Sequence, residues 1–483
     1  MNETLTADTT TQEIDGVARR AREAFAASAR TPEAQRGRWL TAIADALDAA
    51  VTELVQTAME ETHLPEQRLV GEVARTTAQL RLFATVVGEG SYLEATIDHA
   101  APPQPDLRRM LRPIGPVAVF SASNFPFAFS VAGGDTASAL AVGCPVIVKA
   151  HPAHARLSRR TAEIVAGALR SVDAPRGLFA LVEGYDAGIE LVQHPEIAAV
   201  AFTGSVAGGR ALADLVAARP VPIPFYGELG SINPVVVSAA ADAARGTDLA
   251  QGLVGSFTLG TGQFCTKPGV VFLPRGARLE EALPSLVGPQ ATRMLSESIA
   301  SGFGQGISRL LSVSGVEQVA GSTTPVQDGV PAVVLATDVE TLVRHPEELL
   351  AEVFGPVTLL VRYGSDDELA RALDHLDGSL TATVHAEPGE DVGPLVQRLE
   401  VLAGRVLFDG WPTGVAVAWS QHHGGPWPAT NTQFTSVGAT AVRRFLRPVA
   451  YQDAPEHVLP DALKESNPLG IPRRIDGTLV LGG

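Results

Sequence analysis

The sequence predicts an α/β protein carrying two βαβ-type parallel sheets, and three observations support it. From about residue 116, short apolar runs alternate with helix-length amphipathic stretches, the pattern of strands and crossover helices stacked into a parallel sheet. A second alternating series runs from 234 to about 410. Hydrophobic residues make up 45% of the 483-residue chain, enough for more than one core, and the length suits about three domains.

The elements follow in order. Residues 12–90 read as helical, with apolar positions three and four apart at Trp39-Leu40, Ile43, Leu47, Val51 and Leu54-Val55. Thr31-Pro32-Glu33 reads as an N-cap followed by proline at the first helical position. The proline-rich stretch 100–106 breaks the helical pattern. Strands are expected at 116–120, 145–149, 178–182 and 198–203, with helices at 129–142, 157–170, 187–194 and 206–218. The second series places strands at 234–237, 270–273, 357–361, 380–385 and 404–408. The tail from Pro448 to Gly483 is punctuated by proline and suits a segment lying across a neighbour.

Charge narrows the function classes. With 37 Lys and Arg against 53 Asp and Glu, the net charge of −16 argues against nucleic acid or an anionic membrane as a main partner. Two cysteines cannot build a disulfide framework, so a reducing compartment is expected. The first residues lack the cationic and apolar regions of a signal peptide, and no apolar run is long enough to span a bilayer. The expectation is a soluble, cytoplasmic protein.

Cys265 is the leading chemical candidate. It lies in Gly-Thr-Gly-Gln-Phe-Cys-Thr (260–266), after a flexible turn and ahead of a strand, where a thiol can meet a ligand. Cys144, by contrast, sits inside the apolar run 140–148. Upstream, Glu228 enters the apolar run Val235–Val237 through Leu-Gly-Ser-Ile-Asn-Pro. Desolvation there is expected to raise its pKa and make it a proton acceptor near neutral pH. Asn124 follows the strand 116–120 and can point an amide N–H into a cleft to stabilise an oxyanion.

Taken together these stretches resemble the aldehyde dehydrogenase family. The resemblance rests on 113–117 (Pro-Ile-Gly-Pro-Val), 124–126 (Asn-Phe-Pro), Lys149, 202–205 (Phe-Thr-Gly-Ser), 228–230 (Glu-Leu-Gly), 262–265 (Gly-Gln-Phe-Cys) and 352–356 (Glu-Val-Phe-Gly-Pro), in the family's order. It implies a dinucleotide-binding domain at 1–97 and 116–226, a catalytic domain at 227–425, and an oligomerisation hairpin and tail at 98–115 and 448–483. A homodimer or dimer of dimers is implied as well. One departure concerns the base: the family's Glu-Leu-Gly-Gly-Lys becomes Glu-Leu-Gly-Ser-Ile, so a small residue and a cation are replaced at Ser231 and Ile232.

The implied chemistry is oxidation of an aldehyde. Cys265 attacks the carbonyl, and Asn124 with the cysteine's own N–H holds the oxyanion. A hydride leaves to a nicotinamide, and Glu228 activates the water that cleaves the thioester. A locally favoured thiolate is expected, since a free thiol is only a few per cent ionised at neutral pH. Thr203, Gly204 and Ser205 open a helix whose dipole favours a pyrophosphate. Lys149 is implied at the adenine-side ribose, Leu229 among the cofactor contacts, and Glu352 and Phe354 at the nicotinamide ribose and ring.

No acid follows Lys149 until Glu163, whereas Arg156, Arg159, Arg160 and two histidines do. This favours NADP over NAD, with Arg156 named for the cofactor; the other reading is a solvated basic helix flank. The stretches 421–430 and 433–439 and the tail 467–470 look like one subgroup, the 2,5-dioxopentanoate and NADP-linked fatty-aldehyde dehydrogenases. A thiol hydrolase or a non-catalytic binding member is the alternative of another class. His422 and His423 lack a third metal ligand at a suitable spacing, so no metal is expected. Trp411, Trp419 and Trp427 line a substrate funnel or pack a core.

Overall fold

The N-terminal helices form because their apolar positions fall on one face and their ends are punctuated. In the computed structural model, which describes residues 8–288, 290–324 and 329–482, they are α1 (Thr11–Ser28), α2 (Glu33–Ala49), α3 (Val51–Thr62) and α4 (Glu66–Glu89). Thr10 and Glu13 close a reciprocal capping box at the start of α1, and Gly90 ends α4 in the left-handed conformation. Thr31 is not a cap, contrary to expectation. Its hydroxyl donates to the Ala27 carbonyl at 3.1 Å, and Pro32 itself holds the cap position of α2.

After the hairpin β1 (Thr96–Asp98) and β2 (Leu107–Pro113), the chain winds a first sheet. Its elements are β3 (Val117–Phe120), α5 (Gly134–Ala141), β4 (Val146–Lys149), α6 (Ala155–Ser171), β5 (Phe179–Val182), α7 (Tyr185–Gln193), β6 (Ala199–Thr203), α8 (Val206–Ala217) and β7 (Phe225–Glu228). All pairings are parallel, in the order β5-β4-β3-β6-β7. The winding direction reverses between β3 and β6, so a crevice opens beyond their carboxyl ends, where Asn124 and Thr203 to Ser205 emerge. Trp39, Leu40 and Phe83 cover one face of this sheet; Ile14, Leu191 and Val216 cover the other.

A second sheet has seven strands. They are β8 (Val235–Val237), then, after α9 (Ala239–Phe257), β9 (Val270–Pro274), and, past the short pair β10 (Ala291–Thr292) and β12 (Val330–Pro331), β11 (Glu317–Gly321), β13 (Val333–Asp338), β14 (Val357–Tyr363), β15 (Ala382–His385) and β16 (Val406–Phe408). The order is β11-β13-β14-β9-β8-β15-β16, antiparallel only between β11 and β13. Apolar clusters line both faces, one around Phe257 and Leu279, the other around Phe272 and Leu335. The third sheet, β17 (Leu446–Gln452)-β2-β1-β18 (Arg473–Ile475)-β19 (Thr478–Val480), joins the hairpin to the tail.

The two parallel sheets meet end to end. Residues 229–234 carry the chain from the carboxyl end of β7 to the amino end of β8. Asn124 after β3 bonds Gln263 ahead of β9, and Glu352 ahead of β14 meets Val206 after β6 beside Gly230, so amino ends of the second sheet share one seam with carboxyl ends of the first. Strands β7, β11 and β13 were not expected from the sequence. The helix expected over 129–142 begins only at Gly134, because a turn through Gly133 intervenes and the buried Glu72 carboxylate of α4 accepts the N–H groups of Phe127 and Ala128 at 2.8 and 2.9 Å.

Candidate active site

Cys265 stands at the seam, half-buried, in the loop before β9. Two features fix that loop. Its carbonyl accepts from Asn233 Nδ2 at 2.7 Å, and Asn233 Oδ1 in turn accepts from Thr381 N–H at 3.2 Å, at the amino end of β15. Gly262 has φ +65°, and a Cβ there would lie 2.3 Å from the Gly355 carbonyl, so the loop can press against 352–356 only with glycine. Asn124 joins from the other sheet, donating Nδ2 to the Gln263 carbonyl at 2.9 Å. One N–H of that amide is thus engaged with the Cys265 loop, and the second has no acceptor among the described residues.

Glu228 ends β7 and is 3% exposed. Its Oε1 accepts from His423 Nε2 at 2.8 Å, and Ser436 donates to Oε2. A carboxylate only accepts, so Nε2 carries the hydrogen. The same Nε2 lies 3.7 Å from Cys265 Sγ. His423 is therefore the residue that reading the sequence missed: it lies between the Cys265 sulfur and the Glu228 carboxylate. Its partners are 158 and 195 residues away in sequence, and the only local signal was the His-His-Gly-Gly-Pro run.

His423 does have metal-type neighbours, contrary to expectation. Two further ligand-type residues do join His423, and donor atoms of Glu228, Cys265 and His423 lie within 4.8 Å of one another. The short N–H···O bond to Glu228 occupies the ring nitrogen facing both partners, so the set reads as a proton-handling line.

The expected pKa directions reverse. Burial raises that of Glu228, but the charge and hydrogen bond of His423, the Ser436 hydroxyl and the Arg444 guanidinium outweigh it, and the group ends below the ordinary carboxylate value. Glu228 is an ionised acceptor at neutral pH rather than a raised-pKa base. Burial first, then the negative charges of Glu228 and Glu352, pushes the Cys265 thiol well above its usual value. At rest Cys265 is therefore a protonated thiol. Ser231, at the departure from the family motif, is buried and structural: its Oγ accepts from Leu380 N–H at 2.8 Å.

The proposed cofactor residues line the same seam. Ser205 caps α8, its Oγ accepting from Gly208 N–H at 3.1 Å. Gly204 and Ser205 are exposed, and the first-turn N–H groups of Val206 and Ala207 have no intrahelical acceptor. Thr203 is half-buried, and buried Leu229 packs on Gly209. A Cβ on Gly230 would lie 2.6 Å from Glu352 Oε2 and 2.8 Å from Val206, which brings Glu352 and the start of α8 to one point. Burial raises the Glu352 carboxyl, opposed by the ammonium of Lys267. Phe354, half-buried, follows in the same loop, and Lys149 is half-buried at the end of β4 without an ion-pair partner among the described residues. An anion-favouring helix start, a nearby carboxylate and a free ammonium fit a dinucleotide.

Arg156 does not join them. It pairs with Glu60 at 2.9 Å and Glu61 at 3.6 Å, while Arg160 meets Glu53 at 2.6 Å and Arg159 meets Glu183 at 2.8 Å. Arg156 and Arg160 stitch α6 to α3, so the solvated-flank reading fits them. Trp411 packs at 4.5 Å on the His385 ring, and Trp419 and Trp427 are exposed.

Comparison with known proteins accords with this arrangement. The model of the aldehyde dehydrogenase family matches residues 4–427, and the chain belongs to that family, whose enzymes use NAD(P). It is similar to alpha-ketoglutaric semialdehyde dehydrogenase 2 of Azospirillum brasilense, 48% identical over 95% of this chain and 90% of that one. The alpha-ketoglutaric semialdehyde dehydrogenase of Acinetobacter baylyi is 41% identical over 99% and 93%. Among solved structures, an NAD-dependent aldehyde dehydrogenase from Sinorhizobium meliloti superposes with TM-score 0.78 at 24% identity, covering 92% of this chain and 87% of that one. A bifunctional proline utilization A protein gives TM-score 0.80 at 22% identity over 92% of this chain, which spans only 45% of that longer protein. No helix among the described residues is long and apolar enough to cross a membrane.

Proposed function

We propose that this enzyme oxidises 2,5-dioxopentanoate to 2-oxoglutarate with NADP, in the cytoplasm. The line from Cys265 Sγ through His423 Nε2 to Glu228, 3.7 and 2.8 Å in its two steps, carries the chemistry. Similarity to the two semialdehyde dehydrogenases supports the substrate. Glu228 accepts the thiol proton, and the His423 N–H it had held turns to the sulfur. The sulfur adds to the aldehyde carbon, and the oxyanion meets the second N–H of Asn124 and the Cys265 backbone N–H, donors worth about 3–4 kcal/mol each in such sites. Bound NADP supplies the hydride acceptor. Glu228 passes the thiol proton to solvent, and as a carboxylate again takes a proton from the water that cleaves the thioester; that proton returns to the departing sulfur. Aldehyde, NADP⁺ and water give carboxylate, NADPH and two protons.

The preference for NADP rests on Lys149, without an ion-pair partner among the described residues, and on the lack of an acid between it and Glu163; the paired Arg156 is not part of it. Thr203, Gly204, Ser205 and Leu229 form the pyrophosphate side, and Glu352 and Phe354 the nicotinamide side. In this reading 1–97 with 116–226 binds the dinucleotide, 227–425 is catalytic, and 98–115 with 448–483 assembles a homodimer or dimer of dimers through the exposed edge at Leu479 and Val480. Absorbance at 340 nm decides the function, with the dioxo acid, succinic semialdehyde and an aliphatic aldehyde series against each cofactor. The dioxo acid with NADP should give the highest kcat/KM. Efficiency that rises with alkyl chain length would overturn the substrate, and equal efficiency with NAD the cofactor.

A further inference from the structure

The leading substrate is an anion, and the protein carries a net charge of −16, so a local cation must receive it. Three arginines surround the nucleophile, and their hydrogen bonds separate them. Arg68 is sandwiched between the Phe125 and Phe264 rings at 5.1 and 4.9 Å and donates Nη2 to the Asn124 carbonyl at 2.6 Å. Arg75 lies over Phe129 at 5.4 Å and directs Nε and Nη2, one whole side of its guanidinium, to the Val415 carbonyl at 3.4 and 3.2 Å. Each also keeps a buried, unpaired Nη1, but Nη2 of both and Nε of Arg75 hold the cleft wall, so neither has Nε and Nη2 free together.

Arg405 differs. Its Nε and Nη2 are both out of contact with solvent and both without a hydrogen-bond partner. Those two N–H groups are the side-on fork that receives a carboxylate in two parallel bonds. Two orphaned donors on one edge are costly to bury unless something completes them. Arg405 also lies at the seam. It precedes β16, its carbonyl accepts from Ala382 N–H at 2.9 Å, and the adjoining Thr381 contacts Asn233, which holds the Cys265 carbonyl. On the other side, a Cβ on Gly404 would be 2.1 Å from the Gly424 carbonyl and 2.9 Å from His422, so the strand start abuts the loop that supplies His423. The guanidinium is near enough to Cys265 for its charge to oppose the rise in the thiol's pKa.

The geometry points to Arg405 as the residue that binds the substrate's distal carboxylate through its Nε and Nη2 fork. This rests on the aldehyde-oxidation reading and specifies its substrate side. The recognised chemistry is a short aldehyde ending in a carboxylate, placed by a bidentate pair while the aldehyde carbon meets Cys265.

The test compares Arg405→Met and Arg405→Lys with wild type on 2,5-dioxopentanoate and on pentanal, which has the same number of carbons and no charge. For Arg405→Met, kcat/KM on the dioxo acid should fall about 50-fold or more, chiefly through KM, and about tenfold or more further than on pentanal, whose loss reflects only the charge removed near Cys265. Lysine keeps the charge without the fork, so its loss should be intermediate, about tenfold. Calorimetric binding of 2-oxoglutarate without cofactor should weaken in the same order. Equal losses on both aldehydes, or unchanged 2-oxoglutarate binding by Arg405→Met, would overturn the assignment. If Arg405→Met does not fold by circular dichroism, Arg405→Lys decides, and a loss on pentanal as large as on the acid overturns it. A wild type that favours pentanal would instead overturn the proposed function. A wild type that favours the acid, with Arg405→Met keeping that preference, would overturn this inference alone.

Discussion

The turn that holds Cys144 and the loop that holds Cys265 are the chain's two thiol sites, and what separates them is company. Cys144 is fully buried between α5 and β4, its Sγ 3.5 Å from the Phe445 carbonyl, and burial pushes its thiol up to about 11. Cys265 is also pushed up, by burial and by two carboxylates. Neither site makes a nucleophile by lowering its resting pKa. Backbone N–H groups of Ile114 and Gly115 reach Cys144 as well, but Cys265 alone has a carboxylate and a histidine N–H within reach. In the proposed mechanism, reactivity is delivered during the reaction, by a carboxylate already in place.

The largest expected effect comes from removing the sulfur. Cys265→Ala should lower kcat by on the order of 10⁴-fold or more while far-UV circular dichroism stays unchanged. Substantial turnover by the purified variant would erase the distinction between the two sites.

Next is Glu228→Gln, which removes the acceptor and a negative charge together. Turnover should fall by about 10²–10³-fold. Alkylation of the free enzyme by iodoacetamide should accelerate at fixed pH, because the lost charge had been raising the Cys265 pKa. In wild type the alkylation rate should keep climbing with pH past the ordinary thiol range of about 8.5, since the thiolate is disfavoured. A plateau near pH 8, or alkylation that slows in step with turnover, would show instead that Glu228 supports a resting thiolate.

His423→Ala should cost about 10–100-fold in kcat, with Glu228 and Cys265 intact but unlinked. Activity within a factor of two of wild type would reduce the 3.7 Å contact to packing.

The smallest effect belongs to Cys144→Ala, with activity unchanged within about twofold and stability lowered by about 1 kcal/mol. The stability comparison has a pH signature. The folded thiol's raised pKa means its contribution is complete below the unfolded value and is lost as pH rises toward about 11. Chemical denaturation should therefore show the two proteins converging from pH 9 to 11, and a constant gap would show that the buried thiol does not titrate there.

Much of this was legible in the sequence because the motifs are local. Apolar runs such as Val146-Ile-Val and Val270-Val-Phe-Leu announce strands buried on both faces. Cys265, Glu228 and Asn124 were named from their local stretches together with the family resemblance, and the fold brings their loops together. What stayed hidden depends on distance along the chain. Three glutamates on α3 meet Arg156 and Arg160 from about 100 residues upstream, which spacing near Lys149 cannot reveal. His423 reads as half of a histidine pair until folding brings it to Glu228. The pKa directions were misjudged for the same reason, since Ser436, Arg444 and His423 act on Glu228 only in the folded chain.

The end-to-end meeting of the two sheets also bears on how the enzyme comes into being. Cys265 leaves the ribosome 158 residues before His423, and Glu228 leaves 208 residues before Ser436. Contacts of such separation close late and together with the domains that carry them. A nascent or half-folded chain thus holds an ordinary cysteine without its acceptor line. Activity becomes a readout of a finished molecule, and the thiol is least equipped to react when the chain is most exposed to stray electrophiles.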